Sequence, residues 1–139
     1  MSLKDKANDS IRLAYTLVES GDLNLAANRF YYSVFQKTLN FAKTKHDYDY
    51  TNIEDSKKKG THNSLIHHLS LEISKARQKD PGNKALNKIS NIQSDFSKLK
   101  KMREKADYSE FDITEDDLES IQSSLKQFNE KYSTMLQNL

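Results

Sequence analysis

The sequence predicts an all-α fold, an antiparallel bundle of four to five helices, on three observations. Three glycines and one proline in 139 residues leave too little turn punctuation for a β-rich protein. A charged fraction of 30% suits long solvated helix faces. Five segments repeat apolar residues at spacings of three and four, the period that gathers side chains on one helix face.

The first segment, Leu3 to Glu19, carries Ala7, Ile11, Ala14 and Val18 on its stripe, and Gly21 is placed to stop it. The second, Asp22 to Lys43, is apolar almost all round, with Phe30, Tyr31, Val34, Phe35, Leu39 and Phe41, and is therefore the central helix. A polar connection, TKHDYDYTNIEDSKKKG, follows and is longer than most loops of compact domains. Thr61 is the expected N-cap of a third helix to Arg77, which carries Leu65, Ile66, Leu69, Ile73 and Ala76 before KDPGN ends it. A fourth helix is expected from Asn83 to Ala106, with Leu86, Ile89, Ile92, Phe96 and Leu99 on its stripe. The fifth opens on TEDD, where Thr114 and Asp117 suit a capping box, and continues through Leu118, Ile121, Leu125, Phe128, Tyr132 and Met135. No internal repeat divides the chain, and one domain over residues 1–139 is expected.

Composition excludes several classes of chemistry. With no cysteine the chain has no disulfide, no thiolate zinc site and no thiol nucleophile. His46, His62, His67 and His68 form no i, i+4 pair, and HExxH is absent, so no metal is expected. No Walker loop, GxGxxG or GxSxG occurs, which leaves no motif for a cofactor, a P-loop NTPase or a serine hydrolase. No apolar run approaches the roughly 18 residues of a membrane span. MSLKDKANDS lacks the apolar stretch of a signal peptide, so a cytoplasmic location without a membrane partner is expected.

The net charge of +2 conceals a polar layout: ten Lys/Arg against three acids from Lys75 to Lys105, then seven acids and no base from Ala106 to Leu125. The two blocks meet at Arg103 and Asp107, within KLKKMREKADYSEF. Arg103 falls on the apolar stripe of the fourth helix, one step of four beyond Leu99. An arginine there is either half of an ion pair with Asp107 at i+4 or the lining of a cleft, where its planar fork suits phosphate oxygens. Periodicity does not separate the two. RFYYSVF places Arg29 beside Phe30, Tyr31 and Tyr32, which cannot all face one neighbour. Tyr32 with Arg29 suits stacking on a nucleotide base, although tyrosines in bundles more often belong to the core. His62 lies at the start of the third helix, where helix N-termini attract anions.

AANRFYYSVFQKTLNFA, KKKGTHNSLIHHL and KLKKMREKADYSEF together resemble the HEPN family of small bacterial and archaeal helical proteins. The resemblance covers about Asp22 to Ile113 and is to the branch with R…YYA.F and R..ADY motifs. It implies a four- or five-helix bundle that forms a homodimer, with the fourth-helix motifs facing across a cleft. It also implies RNA or a nucleotide as ligand, a nucleotidyltransferase partner, and toxin–antitoxin or defence settings in which many relatives are metal-independent ribonucleases. Their signature is an arginine followed four to six residues later by a histidine; Arg103 matches, but Tyr108, Ser109 and Glu110 occupy the histidine positions. Histidine, with a pKa of about 6.5, suits general acid–base work near neutrality, whereas only about one tyrosine in a thousand is ionised there.

The reading that results is an HEPN-type dimer binding RNA, a nucleotide or a nucleotidyltransferase partner, without strong nuclease activity. The binding residues are Arg103, Asp107, Tyr108, Arg29, Tyr32 and His62. The alternatives are a weak metal-independent endoribonuclease using Arg103 with Tyr108 or His62, and a purely structural interaction module.

Overall fold

The computed structural model describes residues 1–49 and 60–139. Among these residues the chain forms six helices: α1 (Leu3–Glu19), α2 (Leu23–His46), α3 (Thr61–Lys79), α4 (Lys84–Lys88), α5 (Ile92–Tyr108) and α6 (Glu115–Asn138). No strand occurs among them, and no helix is long and apolar enough to cross a membrane.

α2 packs against α1, α3, α5 and α6 and is the axis of the bundle. Its contacts set the directions of its neighbours. Ser10 meets Gln36 and Tyr15 meets Phe30, so α1 runs antiparallel to α2. Asn28 meets Asp107 while Tyr31 meets Phe96, so α5 is antiparallel to α2 as well. Lys105 pairs with Asp117 and Lys131 with Asp95, which makes α6 antiparallel to α5. Much of the apolar surface of α2 is thus covered within one chain: Phe30, Tyr31, Val34, Leu39 and Phe41 are buried, while Leu25 near its start stays exposed. Each such side chain contributes about 1.5–3 kcal/mol relative to exposure.

The helix ends follow from local chemistry. Gly21, at φ 81°, lets its own N–H reach the Val18 carbonyl and the Asp22 N–H reach that of Leu17, the paired bonds of a left-handed helix stop. The Thr114–Asp117 capping box forms as expected, with bonds of 3.0 and 3.1 Å. Three expectations are corrected. Gly60, not Thr61, is the N-cap of α3, and no side chain caps that helix. α2 continues to His46, and Tyr48 beyond it bonds to Ser64 and stacks on His68, so the start of the polar connection belongs to the bundle. The rest of that connection, 50–59, lies outside the described residues.

The third correction is that the fourth predicted helix is two, α4 and α5, broken at Ile89–Asn91. Leu86, Ile89 and Ile92 are spaced by threes, the period of a tighter turn, and all three remain buried through the break. Ser90 contributes to the break by bonding the Asn87 carbonyl through its hydroxyl at 2.8 Å.

Candidate functional site: a buried arginine among tyrosines

Arg103 lies in the penultimate turn of α5, on the face that meets α2. Its side chain is only 11% exposed. Three tyrosine rings surround the guanidinium: Cζ is 5.3 Å from the centroid of Tyr31, 5.8 Å from Tyr32 and 5.7 Å from Tyr108. Among the described residues its single ion-pair contact is a loose one, Nη1 to the Asp107 carboxylate at 3.6 Å. Buried Nε has no hydrogen-bond partner among the described residues. Leaving a buried charged donor unpaired is costly, and a well-fitted structural arginine satisfies its fork.

Asp107 is engaged from the other side. Asn28 donates to its Oδ2 at 3.1 Å, and the Asn28 carbonyl accepts from Arg29 Nε and Nη2 at 2.8 and 2.6 Å. Arg29 in turn lies 5.1 Å from the Tyr32 ring centroid. Arg29, Asn28, Asp107 and Arg103 therefore form one polar chain across α2 and α5, with the Tyr32 ring close to both guanidinium groups.

The first turn of α3 closes the third side. The His62 ring stacks on Phe35 at 4.3 Å and on Tyr31 at 5.3 Å, and its Nδ1 is hydrogen bonded to the Tyr31 hydroxyl. Burial lowers the His62 pKa to about 4, reinforced by the positive charges of Arg103 and Lys100, so the ring is neutral at pH 7. Lys100 is held near this turn by a 3.0 Å bond to Asn63. Burial drives the Tyr31 phenol far above its ordinary range, so it is a hydroxyl at any physiological pH.

All six residues singled out from the sequence converge here: Arg103, Asp107 and Tyr108 on α5, Arg29 and Tyr32 on α2, and His62 on α3. Periodicity placed neither His62 nor Arg29 near Arg103; the packing of α2 on α3 brings in His62 through Tyr31, and the packing of α2 on α5 brings in Arg29 through Asn28 and Tyr32. Tyr108, at the position of the missing histidine, is 78% exposed and touches the guanidinium only as a ring. Sequence reasoning missed Asn28 and Lys100 and gave Tyr31 no role. The available signal was that Asn28, Tyr31, Tyr32 and Phe35 share one face of α2 at spacings of three and four.

Chemically, the assembly brings together, between aromatic walls, a fixed cation whose Nε is unpartnered among the described residues, a lysine that pairs with Glu104 at 3.8 Å, and a neutral imidazole on a helix start without a side-chain cap. No group of three His, Asp or Glu side chains suited to a metal occurs among the described residues. Compared with family models, curated proteins and solved structures, the chain matches none.

Proposed function

We propose that the protein is an HEPN-type helical module that binds the phosphate of RNA or of a nucleotide at Arg103, without efficient cleavage. The observation that carries this reading is the buried guanidinium of Arg103, whose Nε has no hydrogen-bond partner among the described residues. A phosphate oxygen supplies the missing acceptor, and Tyr32 and the exposed Tyr108 offer rings for a neighbouring base. A homodimer and a nucleotidyltransferase partner in a toxin–antitoxin or defence setting are part of the proposal. Support for a protein contact comes from Leu25, Tyr108 and Phe111, large apolar side chains left 59%, 78% and 66% exposed.

The test is fluorescence anisotropy of a short labelled RNA, with ATP as competitor, at low salt. Arg103→Ala should weaken binding about tenfold or more and reduce its salt dependence while circular dichroism stays helical. Equal binding by the wild type and Arg103→Ala, or none by either, rejects the reading in favour of a structural module.

A second reading, weak metal-independent ribonuclease activity, is favoured by one observation: His62 is neutral at pH 7 and shares Tyr31 and Tyr32 with Arg103. In the tautomer whose Nδ1–H donates to the Tyr31 hydroxyl, Nε2 carries the free lone pair that accepts a proton. Cleavage of mixed RNA in the presence of a chelator, abolished by His62→Ala, distinguishes it from binding alone.

A further inference from the structure

Helices α1, α2 and α6 do not close completely on one another. Between them lies a cavity of about 410 Å³, within the range of about 300–1,000 Å³ usual for small-molecule pockets. Each helix contributes one stripe: Ala7 from α1, Val34 and Lys37 from α2, Tyr132 and Leu136 from α6. Ala7, Val34 and Tyr132 are buried, which makes the floor apolar. Among the described residues no carboxylate lines the space; its charged groups are Lys4 and Lys37.

Lys37 is the unusual member. Its ammonium donates to Asn129 Oδ1 at 3.2 Å and lies 4.5 Å from the Tyr132 ring centroid, both neutral partners. No ion pair reaches it among the described residues. Burial lowers its pKa below the ordinary lysine value. The same bundle gives its other sheltered lysines a carboxylate: Lys105 pairs with Asp117 and Lys131 with Asp95, each at 2.6 Å, and Lys100 with Glu104 at 3.8 Å. A cation held beside an apolar cavity without a counter-ion lacks what its structural counterparts have.

We propose that this cavity binds an amphiphilic monoanion, a carboxylate with a short unbranched apolar tail. The tail lies against Ala7, Val34 and Tyr132, and the carboxylate becomes the counter-ion of Lys37, with Lys4 at the rim. The cavity is separate from the Arg103 site, so either assignment can fail without the other.

Isothermal titration with decanoate, and with decan-1-ol as the uncharged analogue, tests it on the full chain. Decanoate should bind saturably, and Lys37→Met should weaken it about tenfold or more while leaving decan-1-ol unchanged. Arg103→Ala should bind decanoate as the wild type does. Non-saturable binding, or equal decanoate affinity in Lys37→Met, overturns the proposal. Should Lys37→Met not fold by circular dichroism, Leu136→Trp decides: Leu136 is 46% exposed on the cavity lining, and an indole there should block decanoate. Decanoate binding undiminished in a folded Leu136→Trp protein overturns the proposal equally.

Discussion

The Tyr31 hydroxyl and His62 Nδ1 are hydrogen bonded, tying the middle of α2 to the first turn of α3. Tyr31 is fully buried, so its hydroxyl depends on this bond. Tyr31→Phe keeps the ring and its edge contact with Phe96 but leaves the imidazole nitrogen without its partner. We expect a loss of about 1–2 kcal/mol in urea unfolding with an unchanged slope. A neutral result would mean that the hydroxyl is solvated in the folded protein.

The pH dependence of stability follows from His62. In the unfolded chain its imidazole titrates at 6.5, and in the fold at about 4. The unfolded state thus binds the proton more readily between these values. The stability is fully present above about pH 6.5 and is lost as pH falls through about 4. His68, lowered by burial and by His46, acts in the same direction. The melting temperature should therefore fall on acidification, and His62→Phe, which retains an aromatic ring beside Phe35, should flatten part of that decline. Parallel curves for the two proteins would assign the effect elsewhere.

Asp95 and Lys131 form a buried pair at 2.6 Å, with the aspartate side chain 3% exposed. Lys131→Met strands a carboxylate between α5 and α6 and should cost about 3–5 kcal/mol by denaturant unfolding. Replacing both residues, Asp95→Leu with Lys131→Met, should recover most of that loss, since an apolar pair removes the desolvation penalty from both sides. Failure of the double variant to recover would point to a packing role for the lysine stem.

Arg103 presents opposed effects. Desolvation with an unpaired Nε destabilises the fold, while three tyrosine rings each offer about 0.5–2 kcal/mol of cation–π attraction. Because the two are of similar size, Arg103→Met should change stability by no more than about 1 kcal/mol while RNA binding is lost. A much larger loss in thermal unfolding would make the residue structural.

Tyr108→His restores the arginine-to-histidine spacing of the resembling family at a position 78% exposed. It introduces an imidazole, a group suited to acid–base work, beside the guanidinium. Chelator-resistant RNA cleavage in the variant, peaking near neutral pH, is the expected gain. An inert variant that folds and binds RNA would show that the cleft lacks the geometry for in-line attack.

The secondary structure was largely legible because helix identity here rests on local periodicity and capping. The span of α1, the capping box at Thr114 and the stop at Gly21 all involve residues within five positions of one another. The break at Ile89–Asn91 was not, because Leu86, Ile89 and Ile92 read equally well as turns of one helix and as a three-residue period across a bend. Residue type favours Thr61 as the cap, whereas the backbone places that role on Gly60, at φ 76°.

The unusual members of the site are legible in the order of residues alone: an arginine on an apolar stripe, aromatics in succession beside Arg29, and a histidine at a helix start. That they meet is a consequence of helix packing. His62 reaches Arg103 through Tyr31, 31 positions away in the chain, and Asn28 reaches Asp107 across 79. The burial that makes His62 neutral, and leaves Arg103 Nε without a partner, depends on the side chains that helix packing places around them. Likewise, α2 was legible as apolar on most of its faces, but whether α1, α3, α5 and α6 or a second subunit covered them was a question of packing that no local pattern encodes.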